Sequence, residues 1–272
     1  YIISSDNSIL DGCTSSRPVE RLDILPLGFS EYCEACGDDT DTGSLFESYI
    51  ETGGIPGFMC MEDFYPEEDQ KTLYSEIKKN LIFNYKIQDQ RLFSTLLSYL
   101  MDNIGAVRSP NKISSEIKES GLSANHVTIG KYIRYILSSN FFRVTKRYDL
   151  KTDKILETAD RYYILDTGLL KNRKHIYENL VYFELIRRGY TVYSGKLYQK
   201  EIDFVAKKDG NVLYIQCCEC DGDNLIDEIA RTLLSVKDAY PKMIIAATGK
   251  EDYMYKGIRI IDIAGWLKAA EY

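Results

Sequence analysis

The stretch E201-I-D-F-V-A-K-K-D-G-N-V-L-Y-I-Q-C-C-E-C220 decides how the second half of this chain folds. Two apolar runs flank Asp209-Gly210, a dipeptide suited to a two-residue hairpin turn. With that loop, Lys208 faces Asn211, Asp203 faces Gln216 and Glu201 faces Cys218. Residues two apart share a face of a strand, so Glu201, Asp203, Gln216 and Cys218 are expected to form one polar patch. Ile202, Phe204, Ile215 and Cys217 are left for the core side.

Outward from the hairpin the pattern is α/β. HIYENLVYFELIRRG (175–189) reads as a helix stopped by a glycine, and YTVYSG (190–195) as a strand. After the hairpin come a helix, NLIDEIARTLLSVKDAY (224–240), two apolar strands, KMIIAATG (242–249) and IRIIDI (258–263), and a closing helix, AGWLKAA (264–270). The region upstream is helical. Leu92, Leu96, Leu100 and Ile104 recur at intervals of four, as on the buried stripe of an amphipathic helix. GSLFESYIETGG (43–54) ends on a glycine pair that stops a helix. RLDILPLGFSEYCEA (21–35) predicts a short strand, a turn and a helix capped by Ser30.

Between these regions lies a compact pattern. NKISSEIKES (111–120) predicts a short helix, and ANHVTIGKYIRYILSSN (124–140) a second one capped by Ser123. The β-prone runs FFRVTKRYDL (141–150) and DRYYILD (160–166) follow, joined by a polar segment. This is the order of a winged helix-turn-helix. Asn125, Thr128, Lys131, Arg134 and Tyr135 face away from its apolar stripe, and Arg143, Lys146 and Arg147 lie along the wing. Such residues contact phosphates and base edges, so DNA is the expected partner. The plainer reading is a protein-interaction module with solvated cations.

Bulk properties bound the rest. The net charge of −7 hides an asymmetry: residues 31–70 hold twelve acids and no Lys or Arg, whereas residues 106–154 hold ten Lys or Arg against four acids. Basic character is therefore judged locally. No apolar run reaches transmembrane length and no secretion signal opens the chain, so a cytoplasmic protein without a membrane partner is expected. Seven cysteines, an odd number, argue against a disulfide framework. Cys33-x-x-Cys36 has the spacing of half a zinc site or of a redox pair; the other half of a zinc pattern is missing, and plain buried thiols are the better reading.

A helix carrying Glu178, a strand carrying Asp203 and a following strand with a polar-x-polar pattern resemble the PD-(D/E)XK nuclease core. The resemblance implies a catalytic pocket in which Glu178 and Asp203 hold a divalent metal, Mg²⁺ being the natural candidate. Gln216 stands in the place of the second carboxylate and Cys218 in the place of the lysine, with Glu201 nearby as a substitute acid. A neutral amide holds a hard cation less well than a carboxylate, and a thiol brings no positive charge to a phosphoryl transition state. The pocket is expected to be degenerate.

Five stretches, ILPLGFSEY (24–32), LFESYIETGGIPGF (45–58), YYILDTGLL (162–170), ENLVYFELIRRGYTVY (178–193) and EIDFVAKKDGNVLYIQ (201–216), together resemble the C-terminal part of prokaryotic AAA-type ATP-binding proteins that carry a C-terminal domain of unknown function. The resemblance implies an ATPase core upstream, with IISSDNS (2–8) as its sensor loop and Asn7 as the sensor residue. No phosphate-cradling G-x-x-x-x-G-K-[ST] occurs, so ATP belongs to the full-length family and not to these residues. The implied organisation is an ATPase remnant (1–29), a helical lid (30–88), a winged helix-turn-helix (89–170) and a restriction-endonuclease-like α/β domain (171–272). The expected function is a DNA-binding or assembly module of a truncated AAA-type protein, partnered by DNA, by an ATPase core or by further copies of itself. A metal-dependent nuclease using Glu178, Asp203 and Gln216, and a protein-interaction scaffold, are the alternatives.

Overall fold

The structure, a computed structural model, describes residues 23–37, 41–59, 66–170, 175–219 and 223–269. Asn7, assigned to the sensor loop, lies outside the described residues. Among these residues seven helices come first: α1 (Phe29–Cys36), α2 (Thr42–Thr52), α3 (Pro56–Met59), α4 (Pro66–Asn84), α5 (Gln90–Asp102), α6 (Pro110–Glu119) and α7 (His126–Ser138). The Leu92, Leu96, Leu100 and Ile104 stripe is buried as its spacing requires.

Local chemistry moves the caps. Gly28, not Ser30, precedes α1, and the Glu31 carboxylate accepts the Gly28 N–H at 2.7 Å, neutralising one orphan donor. Of the stretch expected to hold a strand before this turn, the described residues 23–28 are irregular. Helix α7 is capped by Asn125, whose Oδ1 accepts the Val127 N–H at 2.8 Å, while Ser123 is exposed two residues upstream.

The rest of the described residues form one mixed sheet of eight strands with two helices on one face and one on the other. In chain order these are β1 (Phe142–Asp149), β2 (Lys154–Ile164), a 3₁₀ turn (Thr167–Leu169), α8 (Ile176–Arg187), β3 (Thr191–Leu197), β4 (Lys200–Lys208), β5 (Asn211–Cys218), α9 (Asp223–Leu233), β6 (Lys242–Ala246), β7 (Tyr253–Tyr255), β8 (Ile258–Asp262) and α10 (Ile263–Lys268). The strands lie in the order β2-β1-β3-β4-β5-β6-β8-β7. The hairpin β1–β2 is not a separate layer: Arg147–Asp149 pair in parallel with Ser194–Lys196 of β3. The sheet therefore crosses residue 170, where the sequence pattern marks a change of domain. Edge strand β7, only three residues long, has no counterpart in the sequence reading.

The Asp209-Gly210 turn forms as expected, both residues at positive φ (50° and 80°), the signature of a type I′ turn. Ladder pairs run from Lys208↔Asn211 to Phe204↔Ile215. One core cluster joins Phe204, Ile215, Ile245 and Ile261 to α8, α10 and the N-terminal helices. The other packs Val205, Tyr214, Ile244 and Ile260 under Ile226, Ala230 and Leu233 of α9.

A buried carboxylate pins the helical region to the sheet. Asp166, just after β2, accepts the Gly54 N–H at 2.8 Å and the Gly168 N–H at 2.9 Å. Gly54 in turn gives its carbonyl to the Leu27 N–H at 2.8 Å, and a Cβ on Gly54 would lie 2.1 Å from the Leu27 carbonyl oxygen. Only glycine fits there. Burial pushes the Asp166 carboxyl up to about 6, with the two amide donors pulling the other way. Asp166→Ala strands two buried N–H groups, each costing roughly 1–3 kcal/mol. We expect urea unfolding to report a loss of about 2–4 kcal/mol. Amide exchange should accelerate at Gly54 and Gly168 before it does in β4 or β5.

Candidate functional site

Asp203 does not continue the regular ladder. Tyr193 of β3 pairs with Val205 of β4, but Gly195 pairs with Ile202, so Asp203 and Phe204 together face the single residue Ser194. This is a β-bulge, two residues against one. Its consequence is visible in the packing. Ile202 and Val205 both sit in the α9-side cluster and Phe204 in the α8-side cluster, whereas strict alternation would put Ile202 with Phe204. Asp203 and Phe204 both reach the α8 side.

The bulge also commits Gln216. Its side-chain Oε1 accepts the Asp203 N–H at 2.6 Å and its amide donates to the Glu201 carbonyl at 3.3 Å. The side chain thus satisfies backbone groups that the interrupted ladder leaves over. Gln216 acts on the strand, not as a pocket ligand. Cys218 is corrected as well, since it is buried in the α9-side cluster. The cysteine on the pocket side is Cys217, packed against the α8-side cluster with Ile215 two residues before it. Burial, then the charges of Asp203 and Glu178, push the Cys217 thiol well above its ordinary value, so it stays neutral.

The residue missed by sequence reasoning is Arg161 of β2, only 5% exposed. Its Nη1 lies 3.1 Å from Asp203 Oδ1 and 3.3 Å from Glu178 Oε2, and its Nη2 lies 3.0 Å from Glu201 Oε2. The other carboxylate oxygens are also engaged. Asp203 Oδ2 accepts the Cys217 N–H at 2.9 Å, Glu201 Oε1 accepts from Arg147 Nη2 at 2.6 Å, and Glu178 Oε1 is 3.0 Å from His175 Nδ1. Burial alone would lower the Arg161 pKa, but Tyr163 and the three carboxylates outweigh it and raise it. Asp203 is pushed up to about 6, chiefly by burial and then by Glu178, against the opposing pull of Arg161 and the Cys217 amide.

Glu178 and Asp203 do come together, as the sequence suggested, but around a guanidinium. A divalent metal does not fit the pocket in this arrangement. At an effective dielectric of about 20, a dication about 4 Å from the guanidinium would be repelled by roughly 8 kcal/mol. Among the described residues, no group of three or more His, Cys, Asp or Glu is arranged to hold a metal ion. The Cys33 thiol is buried and raised first by that burial, while Cys36 on the same helix is exposed.

The nucleic-acid candidates separate into two sets. On α7, Lys131 and Arg134 are exposed and Thr128 is half-buried, but Asn125 is spent as the cap. Tyr135 stacks on Tyr85 with ring centroids 4.2 Å apart, and Lys131 Nζ lies 5.7 Å from the Tyr135 centroid. On the hairpin, Arg143 pairs with Asp23 at 3.1 Å, Lys146 with Asp160 at 3.0 Å and Arg147 with Glu201 at 2.6 Å. The pocket and the hairpin share Arg147.

The raised Asp203 value fixes a sign. The folded chain keeps this proton between about pH 4 and 6, where the unfolded chain has released it, so the associated stability is present below pH 4 and lost as pH rises through 6. The stability advantage of the wild type over Asp203→Asn, from urea titrations across that window, should fall by about 1–3 kcal/mol. A flat or rising difference would contradict this assignment.

No family model matches the chain, and no solved structure matches it. It is similar to an uncharacterized protein of Methanocaldococcus jannaschii, 23% identical over 243 residues that cover 80% of this chain and 54% of that protein. It is also similar to an uncharacterized protein of Haemophilus influenzae, 30% identical over 282 residues that cover 98% of this chain and 70% of that protein. No described helix is long and apolar enough to cross a membrane. The chain belongs to the family of the Haemophilus influenzae protein.

Proposed function

We propose that this chain is a DNA-binding or assembly module in which a winged helix is fused to a nuclease-like α/β domain that has lost nuclease chemistry. The observation that carries the reading is the exposed basic face of α7. Lys131 and Arg134 stand less than one turn apart, beside Val127 at 64% exposure, and neither makes an ion pair among the described residues. Helix α6, a short turn, helix α7 and the hairpin β1–β2 follow one another in the winged-helix order. In this reading α7 meets the phosphates, while the hairpin adds less charge than its composition suggests because Arg143, Lys146 and Arg147 are already paired.

The resemblance to AAA-type ATP-binding proteins supports an assembly in which an ATPase core, or another copy of the chain, is the protein partner and ATP belongs to that core. The nuclease alternative is weaker. Gln216 is occupied by backbone groups, Arg161 occupies the carboxylates, and no lysine stands in the place of Cys217 or Cys218. The paired hairpin cations favour the scaffold alternative, because they reduce the charge available for nucleic acid.

Fluorescence anisotropy with a mixed-sequence duplex separates these readings. Two or three phosphate contacts predict a log–log salt slope of about −2 to −3. Exchanging Lys131 and Arg134 for Glu should weaken binding at least about tenfold at low salt. Absence of binding at about 25 mM salt would overturn the DNA reading and leave the scaffold.

A further inference from the structure

We infer that the gap between α8 and α10 is a binding site for a small amphiphilic carboxylate, an anionic head on an alkyl body. The two helices pack on the same face of the sheet but leave a cavity of about 440 Å³, a size usual for small-molecule sites. It lies at the C-terminal end of α8, where Arg188 lines it, whereas Glu178 stands in the first turn of that helix. The floor is apolar: Leu185 of α8, Leu213 at the start of β5, Met243 at the start of β6 and Trp266 of α10. Tyr240, 44% exposed, continues this lining to the surface.

The rim supplies the charge. Arg188, Lys208 and Arg259 line the cavity, and no acidic residue among the described ones does. Two of these cations are committed. Arg188 Nε lies 2.7 Å from Glu184 Oε1, and its Nη2 donates to the Trp266 and Ala269 carbonyls at 2.7 and 3.0 Å. Arg259 Nη2 lies 2.8 Å from Asp252 Oδ2. Lys208 makes no ion pair among the described residues. Its ammonium gives one N–H to the Arg188 carbonyl at 2.9 Å and stands 5.6 Å from the centre of the Tyr190 ring, with further donors for an anion. A ligand that suits this cavity has both characters. A bare anion would leave the floor wet, and an alkane would leave the ammonium without a partner. Trp266 is buried under the Arg188 guanidinium, 4.2 Å from its ring centre, so it offers a nucleobase no face to stack on. The aliphatic Leu185, Leu213 and Met243 favour an alkyl chain instead. DNA binding by α7 and this site stand independently, since Lys131 and Arg134 do not line the cavity.

The chain has a single tryptophan, so the fluorescence of Trp266 reports on the cavity directly. Octanoate is the probe, titrated into the full 272-residue chain, with octylamine as the cation of matching body. Octanoate should shift the emission saturably with a Kd at or below about 1 mM, and octylamine should bind at least about tenfold more weakly. Lys208→Glu, at an exposed position, should weaken octanoate binding at least about tenfold. Should that variant fail to fold, Lys208→Met, which keeps the apolar stem, carries the same comparison. The site is overturned by the absence of a saturable shift up to about 10 mM octanoate, by equal affinity for octylamine, or by a folded Lys208 variant that binds octanoate as tightly as the wild type.

Discussion

A buried guanidinium must be met by acceptors on several sides, and Arg161 finds them only because β2, α8 and β4 are held together. Desolvating one cation and three carboxylates is expensive, and their mutual attraction offsets that cost only when the geometry is good. Here five of the six carboxylate oxygens accept from an Arg or backbone N–H, and the sixth, Glu178 Oε1, lies 3.0 Å from His175 Nδ1. The arrangement matters because the backbone seam beside it is short. Strands β1 and β3 share only the pairs from Arg147↔Ser194 to Asp149↔Lys196. A hairpin held by three ladder pairs would hinge; Arg161 and Arg147 bridge it to Glu178, Asp203 and Glu201 beyond the seam. Losing one partner of such a network typically costs about 3–5 kcal/mol, more than the ladder pairs could restore.

The bulge in β4 is what turns Asp203 toward that network. Without the extra residue, Asp203 and Phe204 would point to opposite faces, and one of them would be lost from the α8 side. The cost is an interrupted ladder, and Gln216 meets it by lending its amide to the Asp203 N–H and the Glu201 carbonyl. A carboxylate at 216 could accept the N–H but could not donate to the carbonyl. The glutamine is therefore the residue this backbone asks for.

These facts also define what the residues alone could reveal. The hairpin turn was legible because Asp209-Gly210 is a local, stereochemical signal, and its register followed over the five pairs to Phe204↔Ile215. The stripe on α5 and the run of α6, α7, β1 and β2 were legible because periodicity survives any tertiary context. The pocket was legible only in part. Glu178, Asp203 and Glu201 belong to it, but the alternation rule carried past the bulge picks Cys218 in place of Cys217. Nothing local to Asp203 announces a bulge, since it depends on β3 across the sheet. Arg161 stands in the β-prone run 160–166, forty-two residues from Asp203, where a lone charge reads as solvent exposure unless the fold buries it. Asn125 and Tyr135 also take structural roles that the pattern of α7 does not announce, a helix cap and a ring stack on Tyr85.

The same reasoning changes how the charge of the middle segment is to be counted. Residues 106–154 carry ten Lys or Arg against four acids, and by composition alone they form a basic patch. In the fold, Arg143, Lys146 and Arg147 find acids that lie outside the segment, namely Asp23, Asp160 and Glu201. A cation already at 3 Å from a carboxylate offers a polyanion little, because the incoming phosphate must displace a partner and cannot release a counterion as freely. Lys131 and Arg134 on α7 make no ion pair among the described residues, and neither do the exposed Lys118 in the last turn of α6 and Lys151 and Lys154 at the tip of the hairpin. The strands of the hairpin thus spend Arg143, Lys146 and Arg147 on acids of the fold, while its tip leaves Lys151 and Lys154 exposed.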